Sequence, residues 1–495
     1  MSLEVSNQSS SENVGHKIAV AAARASGNPF LVDDDQTLSG EKFLYLAAAR
    51  ATQIQQMYGT NAAVIAISCG RGIITWVDAV GVWLAGGTVV LLGISLPEEH
   101  VRAILEIAAP DAVIGAHPRF PETTAHFPLL GEAVTPALSG ISFPAPVLPA
   151  AIVFTSGSTN QPKGAVLSHR ALKGNADATE KVLGLGTQDR LFFAIPFNFI
   201  SAISHFLVTL QSGALLHCVE TRLMFRDFID GLAASGANAV GGSPLQLRWI
   251  ADADRTQTID WAMSSGDHLA VQTINRLLLQ NPSLRLFTVY GMTELAGRFC
   301  TLPPAQHSTD AGSVGCPIDG LTATVRNEDG DECITGESGE IYVTGNYLME
   351  GYHNDPEASA RTLTFNGLRT GDMGIQQANG LLIIEGRSDD VFKCNGEKVN
   401  ALHIVTVMMQ SGLFMDLAVT AWDDPVYGTV PIACYSLKYG EKFNRGAIMR
   451  HLRATLPPSH IPRRFLELKD LPRTGSGKLR RRVLNAIVKE KLGSD

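Results

Sequence analysis

The feature that most restricts the fold of this chain is the repeated alternation of short β-branched segments with longer helical ones in its first half. AAVIAIS (62–68), TVVLL (88–92) and DAVIGA (111–116) have the lengths and residue types of buried strands. Between them, GIITWVDAVGVWLAG (72–86) and PEEHVRAILEIAA (97–109) have the length and composition of helices. This alternation predicts βαβ units around a largely parallel sheet, and therefore an α/β fold.

The length and the change of pattern along the chain predict two domains. A chain of 495 residues is too long for one compact core. The α/β pattern repeats over residues 151–289, and residues 312–386 are rich in short strands and glycine turns. We predict a large N-terminal domain over residues 1–386 that includes this β-rich subdomain. A small, mobile α+β domain is predicted over residues 387–495, with a hinge near the junction.

Charge, cysteine content and hydropathy restrict the class of protein. A net charge of −8 argues against nucleic acid as a general partner. Residues 387–495 nevertheless contain 18 Lys and Arg against 11 Asp and Glu, which predicts either a solvated basic face or a surface that meets an anionic ligand. The scattered cysteines, the polar N-terminus and an apolar stretch interrupted by Gly86 and Gly87 predict a cytoplasmic protein without a membrane anchor.

The first segment whose residues suggest a binding or catalytic function is FTSGSTNQPKGAVLSH, residues 154–169. Such a loop can wrap a polyphosphate, because glycines allow close backbone approach, hydroxyls and amides donate hydrogen bonds, and Lys163 adds positive charge. It is not a Walker P-loop, because the GxxxxGK[ST] spacing is missing. An ordinary polar turn is the alternative. The candidate phosphate-binding residues are Thr155, Ser156, Gly157, Ser158, Thr159 and Lys163.

TSGSTxxPKG followed by SH resembles the phosphate-loop signature of the adenylate-forming superfamily. This superfamily includes acyl- and aryl-CoA synthetases, adenylation domains of peptide synthetases and luciferase-like enzymes. Further matching segments follow in order, namely VYGMTEL (289–295), GSVGCPIDG (312–320), GEIYVTGNYLMEGY (339–352), LRTGDMG (368–374), GRSDDVFKCNGEKV (386–399) and LPRTGSGKLRR (471–481). The chain is most similar to an acyl- or aryl-CoA ligase, which implies ATP, Mg²⁺ and CoA as ligands.

The resemblance implies a role for individual residues of the nucleotide site. Tyr290 would pack near the adenine, Thr293 would meet the phosphates, and Glu294 would hold Mg²⁺, which prefers oxygen ligands. Asp372 would bind the ribose hydroxyls and Arg387 would reach the nucleotide. The other nucleotide-binding candidates are Gly266, Asp267, Gly291 and Met292.

The C-terminal segments imply a reaction in two steps around a moving small domain. Lys478 is the candidate catalytic lysine, since a mobile ammonium stabilises the charge that spreads over the carboxylate, α-phosphate and pyrophosphate. The catalytic candidates are Lys478, Thr293 and Glu294. Asp389 is the candidate hinge, and Lys393 and Gly396 are the candidates for the thiol step.

The sequence departs from the family pattern just beyond Gly396. Where relatives usually continue with a proline and two glutamates, this chain has Ala401, His403, Ile404 and Val405. The acceptor thiol is therefore left open between CoA and the phosphopantetheine of an acyl carrier protein.

The acid pocket is predicted from position. The candidates are Phe199, Ile200, Gly241 and Ser243. Ile200 stands where amino-acid-activating relatives usually place an aspartate, which predicts an apolar pocket for an aliphatic or aromatic monocarboxylate. Arg298 is interpreted as a surface arginine, and the alternative is that it binds a second carboxylate.

The predicted function is activation of a carboxylic acid to acyl-AMP with release of pyrophosphate, followed by transfer to a thiol. A carrier-protein ligase shares the adenylation chemistry. Nothing in the sequence argues for the oxygen chemistry of a luciferase-like enzyme. A non-catalytic nucleotide-binding protein would be expected to lose Lys478, Glu294 or Asp372, and all three are present.

Overall fold

The computed structural model describes most of the chain as two compact units. The described residues are 13–59, 63–115, 126–127, 145–155, 161–219, 224–307, 310, 312–388, 391–394, 397–424, 427–438, 440–473 and 479–492. Unit 1 comprises Met1–Thr322 and Val343–Leu368, and unit 2 comprises Ala323–Tyr342 and Arg369–Asp495. Much of the segment 323–386, which the sequence assigns to the large domain, therefore clusters with the C-terminal residues.

The secondary structure alternates helices and strands through unit 1. The helices of the chain are α1 (Val14–Ala25), α2 (Gly40–Tyr58), α3 (Ile74–Ala85), α4 (Glu98–Ala108), α5 (His169–Leu183), α6 (Ile200–Gln211), α7 (Phe225–Ser235), α8 (Pro244–Asp252), α9 (Val271–Gln280), α10 (Pro356–Thr362), α11 (Ala401–Met409), α12 (Arg445–Thr455) and α13 (Arg481–Leu492). A 3₁₀ turn covers Thr293–Leu295.

The strands are β1 (Pro29–Val32), β2 (Thr37–Ser39), β3 (Val64–Ser68), β4 (Thr88–Leu92), β5 (Ala112–Ile114), β6 (His126–Phe127), β7 (Pro149–Thr155), β8 (Lys163–Ser168), β9 (Arg190–Phe193), β10 (Leu215–Cys218), β11 (Ala239–Gly242), β12 (Trp261–Ser265), β13 (Arg285–Met292), β14 (Gly297–Leu302), β15 (Cys316–Pro317), β16 (Leu321–Arg326), β17 (Ser338–Gly345), β18 (Gly351–Tyr352), β19 (Leu363–Thr364), β20 (Gly367–Gln376), β21 (Leu382–Arg387), β22 (Val391–Cys394), β23 (Glu397–Asn400), β24 (Phe414–Asp424), β25 (Gly428–Leu437) and β26 (Arg464–Glu467).

The larger sheet of unit 1 has the strand order β15-β14-β13-β12-β11-β9-β10-β1-β2. Strands β1, β10, β9, β11, β12 and β13 run parallel to one another, whereas β2 pairs antiparallel with β1 and β14 pairs antiparallel with β13. Because the carboxyl ends of parallel strands meet at one edge, the segments that follow β9, β11, β12 and β13 lie along the same edge, where α/β proteins bind ligands.

The second sheet of unit 1 has the order β18-β8-β7-β4-β3-β5-β6. The three segments predicted as buried strands form the parallel neighbours β4, β3 and β5, which confirms that part of the sequence analysis. One apolar core cluster contains residues of both sheets and of α3, where Trp76 stacks on Phe206 at 4.2 Å between ring centroids. Eleven of the twelve residues of α3 are buried, which explains why apolar residues occur on every face of this helix.

A buried ionic cluster also joins α2 to α3. Arg50 and Asp78 have no exposed side-chain surface, and Arg50 Nε lies 2.7 Å from Asp78 Oδ1. Arg71 Nη2 lies 2.5 Å from the other oxygen of the same carboxylate. This pairing compensates charges that would otherwise be costly to remove from water.

Unit 2 contains strands β21 to β26 and the last three helices. Strand β21 pairs with β20, β22 with β23, and the last sheet has the order β24-β25-β26. Helices α11 and α12 pack with β24 and β25 around a separate apolar cluster. The α/β fold class with a smaller α+β C-terminal part is therefore confirmed. Within the described ranges no helix is both long and apolar enough to cross a membrane.

Candidate functional site

Glu294, the predicted metal ligand, is a buried carboxylate held at the end of β13. The residue is 8% exposed and lies in the 3₁₀ turn that follows the strand. Its Oε1 accepts a 2.7 Å hydrogen bond from the hydroxyl of Tyr352, and its backbone carbonyl accepts one of 2.8 Å from the amide of Met349. The carboxylate is thus oriented by a residue that the sequence analysis did not select.

The same tyrosine also contacts Lys163, the predicted phosphate-loop cation. Lys163 Nζ lies 5.2 Å from the centroid of the Tyr352 ring. Tyr352 lies in β18, which pairs antiparallel with β8 so that Tyr352 faces Ala165. The amide of His353 also donates a 2.7 Å hydrogen bond to the carbonyl of Gly164. We call Lys163, Glu294 and Tyr352 the Tyr352 cluster.

The Tyr352 cluster combines a cation and a carboxylate beside the phosphate-loop hairpin. An ammonium attracts phosphate oxygens, and a carboxylate oxygen is a ligand that Mg²⁺ prefers. Tyr352 closes the segment YLMEGY, which the sequence already matched to the superfamily. An aromatic residue after a glycine in a matching segment was the available signal.

The turn between β13 and β14 is constrained by the close approach of two glycines. A Cβ on Gly291 would lie 2.0 Å from the carbonyl oxygen of Gly297, so no other residue fits there without movement. The register shifts between Tyr290 and Gly291, and the ring of Tyr290 packs 5.7 Å from that of Phe299. Gly291, Met292 and Thr293 remain partly exposed while Glu294 turns inward.

Other nucleotide candidates of unit 1 lie on neighbouring strand ends. Thr155 faces Lys163 across the β7–β8 hairpin, and its hydroxyl donates to the Lys163 carbonyl at 3.5 Å. Gly266 follows β12 with a φ of +98° and open space around its Cα, and Asp267 Oδ1 accepts a 2.8 Å bond from the amide of His268. Four phosphate-loop candidates lie outside the described residues, namely Ser156, Gly157, Ser158 and Thr159.

In unit 2, the two predicted nucleotide contacts Asp372 and Arg387 lie opposite each other on β20 and β21. Arg387 Nη1 is 3.2 Å from Asp372 Oδ1, and the amide of Asp372 donates a 3.0 Å bond to the hydroxyl of Thr370. Gly371 has a φ of +72°, and a Cβ there would lie 3.1 Å from Arg387 Nη2. The structure therefore brings together a buried carboxylate and a half-exposed guanidinium, a pair that can bind hydroxyl and phosphate oxygens.

The C-terminal candidates are mostly outside the described residues. This holds for Lys478, Asp389 and Gly396, and for the side chain of Lys393, whose backbone lies in β22. Among their described neighbours, Arg473 Nε and Nη2 lie 2.7 and 2.6 Å from the two oxygens of Asp416.

The residues that depart from the family pattern form the first turn of α11. Asn400 caps this helix by accepting bonds from the amides of Leu402 and His403 at 2.8 and 3.3 Å. The rings of His403 and His460 lie 6.0 Å apart between centroids. The altered residues therefore form a capped helix, with His403 close to a second imidazole.

The predicted acid pocket is built around the start of α6. Phe199 precedes this helix and Ile200 is its first residue, and both are half-buried against the core. Gly241 in β11 lies directly under the ring of His205, since a Cβ there would be 2.4 Å from His205 Nε2.

Ser243, another predicted pocket residue, has a local structural role. Its hydroxyl accepts a 3.4 Å bond from the amide of Gln246, and Gln246 Oε1 accepts a 2.8 Å bond from the amide of Ser243. This reciprocal capping box begins α8. The Ser243 hydroxyl is therefore already engaged in capping a helix.

The interpretation of Arg298 as a surface residue is wrong. Arg298 is 4% exposed and lies near the start of β14, a strand buried at all six positions. Its Nη1 donates a 2.6 Å bond to the hydroxyl of Ser204, and its Nη2 lies 3.4 Å from Met263 Sδ. Burial lowers the pKa of Arg298 to about 9, so the guanidinium stays charged at neutral pH.

His205 lies beside Arg298 and was also missing from the sequence analysis. Its Nδ1 is 2.6 Å from the carbonyl of Ser201, and its ring stacks on Phe193 at 4.9 Å between centroids. Burial, assisted by the charge of Arg298, lowers the pKa of His205 to about 3. The imidazole is therefore neutral, with its proton on Nδ1 because the carbonyl only accepts.

Two family models match successive parts of the chain. The model of a family described as AMP-binding enzyme matches residues 18–353, and one described as AMP-binding enzyme C-terminal domain matches residues 407–478.

Individual proteins show the same relationship. The chain is 27% identical over 350 residues to the indoleacetate–CoA ligase of Aromatoleum aromaticum, an alignment that covers 70% of this chain and 68% of that protein. It is 27% identical over 358 residues to the sulfoacetate–CoA ligase of Cupriavidus necator, with coverage of 70% and 69%. The solved o-succinylbenzoate CoA synthetase of Bacillus subtilis, in complex with its acyl-adenylate intermediate, has a TM-score of 0.84 over 94% of this chain and 97% of that one. At 21% identity, this last likeness is one of fold.

Proposed function

Because this chain belongs to the AMP-binding enzyme family, we propose that it activates a carboxylic acid with ATP and transfers the acyl group to a thiol. In the first step, a carboxylate oxygen bonds to the α-phosphorus of ATP, and the bond to pyrophosphate breaks. In the second step, the thiol sulfur bonds to the acyl carbon, the bond to AMP breaks, and the thiol proton passes to solvent.

The observation that carries this proposal is the Tyr352 cluster. Lys163 supplies a positive charge beside the phosphate-loop hairpin, and Glu294 supplies a carboxylate that Tyr352 holds in place. Such preorganised charges stabilise a phosphoryl-type transfer mainly through position and electrostatics. We assign Lys478 the charge stabilisation of the adenylation step, as the resemblance implies.

The donor set at Glu294 supports a magnesium ion as cofactor. One carboxylate oxygen accepts the Tyr352 hydrogen bond, and no second partner of this side chain lies among the described residues. A buried carboxylate with remaining acceptor capacity fits Mg²⁺, which also takes phosphate oxygens and water. When bound, Mg²⁺ would neutralise phosphate charge, while Glu294 and Tyr352 would hold the ligand geometry.

The acceptor that we favour is CoA, because both relatives described above are CoA ligases by name. The alternative is the phosphopantetheine of an acyl carrier protein. It is supported by the change of the family pattern at Ala401 and His403. In either case the segment 387–495 would pivot at Asp389, which would remove Lys478 and bring Lys393 and Gly396 inward to face the thiol. A cytoplasmic location also stays a prediction.

The experiment that tests the proposal is acid-dependent release of pyrophosphate from MgATP, measured with and without CoA. The acids should include aliphatic, aromatic, dicarboxylic, sulfonated and amino acids. Release with one acid class, together with CoA-dependent thioester formation, is the expected result. If pyrophosphate is released but CoA has no effect, the acceptor is a carrier protein rather than CoA. If no acid causes pyrophosphate release, the adenylation step is refuted.

A further inference from the structure

Arg298 is a buried cation without an acidic partner among the described residues. Its guanidinium contacts the hydroxyl of Ser204 and the thioether of Met263, and neither group carries a charge. The other buried arginine of the described chain is treated differently, since Arg50 pairs with Asp78 at 2.7 Å. Arg298 therefore differs from Arg50 in having no charged partner among the described residues.

An uncompensated charge of this kind is costly to the folded protein. Moving a charge from water into a protein interior without a counter-charge is unfavourable even after relaxation, by an amount comparable to the net stability of a whole domain. An apolar residue of similar volume, such as methionine, would fill the same space without that cost. The described residues supply no such anion, so the position is suited to an anionic group that binds from outside the chain.

The groups around Arg298 leave its charge in place. Ser204 and His205 are neighbours on α6, and the imidazole of His205 is neutral. Its Nε2 is buried and has no hydrogen-bond partner among the described residues. This group of side chains has a net charge of +1, which a single bound anionic group would cancel.

The location of Arg298 connects it to the acid site. Helix α6, which carries Ser204 and His205, begins at Ile200, and the His205 ring covers Gly241. On the other side, Arg298 faces Gly291 across the β13–β14 pair, beside the turn that holds Glu294. Arg298 therefore lies between two parts of the site that the sequence assigned to the acid and to the nucleotide.

We propose that Arg298 binds a second anionic group on the acid, so that the substrate is a dicarboxylate or a sulfonated carboxylate. This inference rests on the proposed adenylation function and replaces the expected apolar monocarboxylate. The distal anion would pair with the guanidinium and accept a bond from the Ser204 hydroxyl. The reacting carboxylate would then be left free at the nucleotide end.

Matched pairs of acids test this inference on the wild-type protein. Each pair has the same carbon skeleton with or without the distal anion: pentanoate and glutarate, 2-methylphenylacetate and 2-carboxyphenylacetate, propionate and 3-sulfopropionate. We expect the dianionic member of at least one pair to have a kcat/KM for pyrophosphate release higher by on the order of 10²–10⁴-fold. The sulfonate pair separates a requirement for charge from one for a carboxylate.

The variant Arg298→Met tests whether this residue is the cause. It should lower kcat/KM for the dianionic acid by about 10²-fold or more, change that for its monoanionic partner only several-fold, and leave the KM for MgATP unchanged. Arg276→Met is the matched control, because Arg276 is a half-exposed arginine of the same unit that pairs with Asp252. Ser204→Ala should give a smaller loss with the dianion.

The outcomes separate this inference from the proposed function. If wild-type protein releases pyrophosphate equally well with both members of every pair, or if Arg298→Met leaves the dianion preference intact, the role of Arg298 is refuted while adenylation stands. If no acid releases pyrophosphate, both proposals fail. If Arg298→Met does not fold, the comparison of matched acids on the wild-type protein still tests the preference for a second anionic group.

Discussion

The hydroxyl of Tyr352 lies 2.7 Å from Oε1 of Glu294, and the ring of the same tyrosine lies 5.2 Å from the ammonium of Lys163. One aromatic side chain thereby contacts both charged residues that the sequence assigned to the phosphates and the metal. Its position depends on the pairing of β18 with β8. The Tyr352 cluster is thus a product of tertiary structure, built from two separate sequence motifs and a residue outside both.

Replacing Tyr352 by phenylalanine should weaken the Mg²⁺ and ATP site. The variant keeps the ring over Lys163 but removes the hydrogen bond to a carboxylate, which is worth about 1.5–3 kcal/mol. We expect the concentrations of Mg²⁺ and ATP that give half-maximal pyrophosphate release to rise about tenfold. Tyr58→Phe is the control, because that hydroxyl donates to the backbone carbonyl of Asp111. An unchanged Mg²⁺ requirement would contradict the role of Tyr352.

Replacing Gly291 by alanine should disrupt the turn that carries Thr293 and Glu294. The new Cβ would lie 2.0 Å from the Gly297 carbonyl oxygen, so the strands must separate. We expect a stability loss of about 1–3 kcal/mol and a loss of activity of about 10²-fold, since small displacements of catalytic groups are costly. Gly186→Ala, where nothing lies within 4 Å, should change neither thermal unfolding nor pyrophosphate release.

Replacing Lys478 by alanine should separate the two half-reactions. Loss of one preorganised charge should slow acyl-AMP formation by on the order of 10²–10³-fold. Thioester formation from supplied acyl-AMP should stay near the wild-type rate. Lys469→Ala is the control, because this lysine is exposed in the same unit. Near-normal pyrophosphate release by the Lys478 variant would refute its assignment.

Replacing Asp78 by asparagine should destabilise unit 1 without touching the candidate site. The variant leaves Arg50 buried beside a neutral side chain, and breaking one partner of a buried pair costs about 3–5 kcal/mol. Denaturant unfolding followed by tryptophan fluorescence would measure the change. Asp230→Asn, which removes an exposed partner of Arg226, should shift the midpoint very little.

Activity with a dianionic acid should decline as the pH rises through about 9, because burial lowers the pKa of Arg298 to about 9 in the ligand-free protein. The unprotonated guanidine no longer attracts the second anion. His205, which faces Arg298 from α6, stays neutral across this range, and Met263 on β12 has no charge to change. A kcat/KM profile for the dianion in the wild type, compared with Arg298→Met, measures the effect. A superimposable decline in both proteins would assign it to another group.

The lowered pKa of Arg298 also predicts how the stability of the folded protein depends on pH. The pKa of Arg298 is lower in the folded than in the unfolded protein, so the folded state releases its proton first as the pH rises. The cost of the buried charge is therefore fully present below pH 9 and decreases as the pH rises above 9. In the absence of ligand, Arg298→Met should unfold at a temperature equal to or above that of the wild type at neutral pH. A large drop in this temperature would mean that Arg298 stabilises the fold.

Local patterns were sufficient for much of the fold and part of the site. The strands β3, β4 and β5 and the turn at Glu294 follow from short-range sequence patterns. Tyr352 could not be assigned in the same way, because its contacts depend on the pairing of β18 with β8, which is distant in sequence. Arg298 was misjudged because arginine is usually exposed. The surrounding run GRFCTL is otherwise free of charge, and the strand it forms is buried on both faces.

The interleaved course of the chain also affects how the protein is synthesised. Residues 343–368 belong to unit 1, although residues 323–342 before them belong to unit 2. As translation proceeds at roughly 5–20 residues per second, β8 leaves the ribosome on the order of ten seconds or more before β18. During that interval the edge of β8 that later pairs with β18 presents unpaired amides and carbonyls. The nascent chain therefore has a period of exposure to chaperones and to aggregation that ends only when Gly351 and Tyr352 arrive.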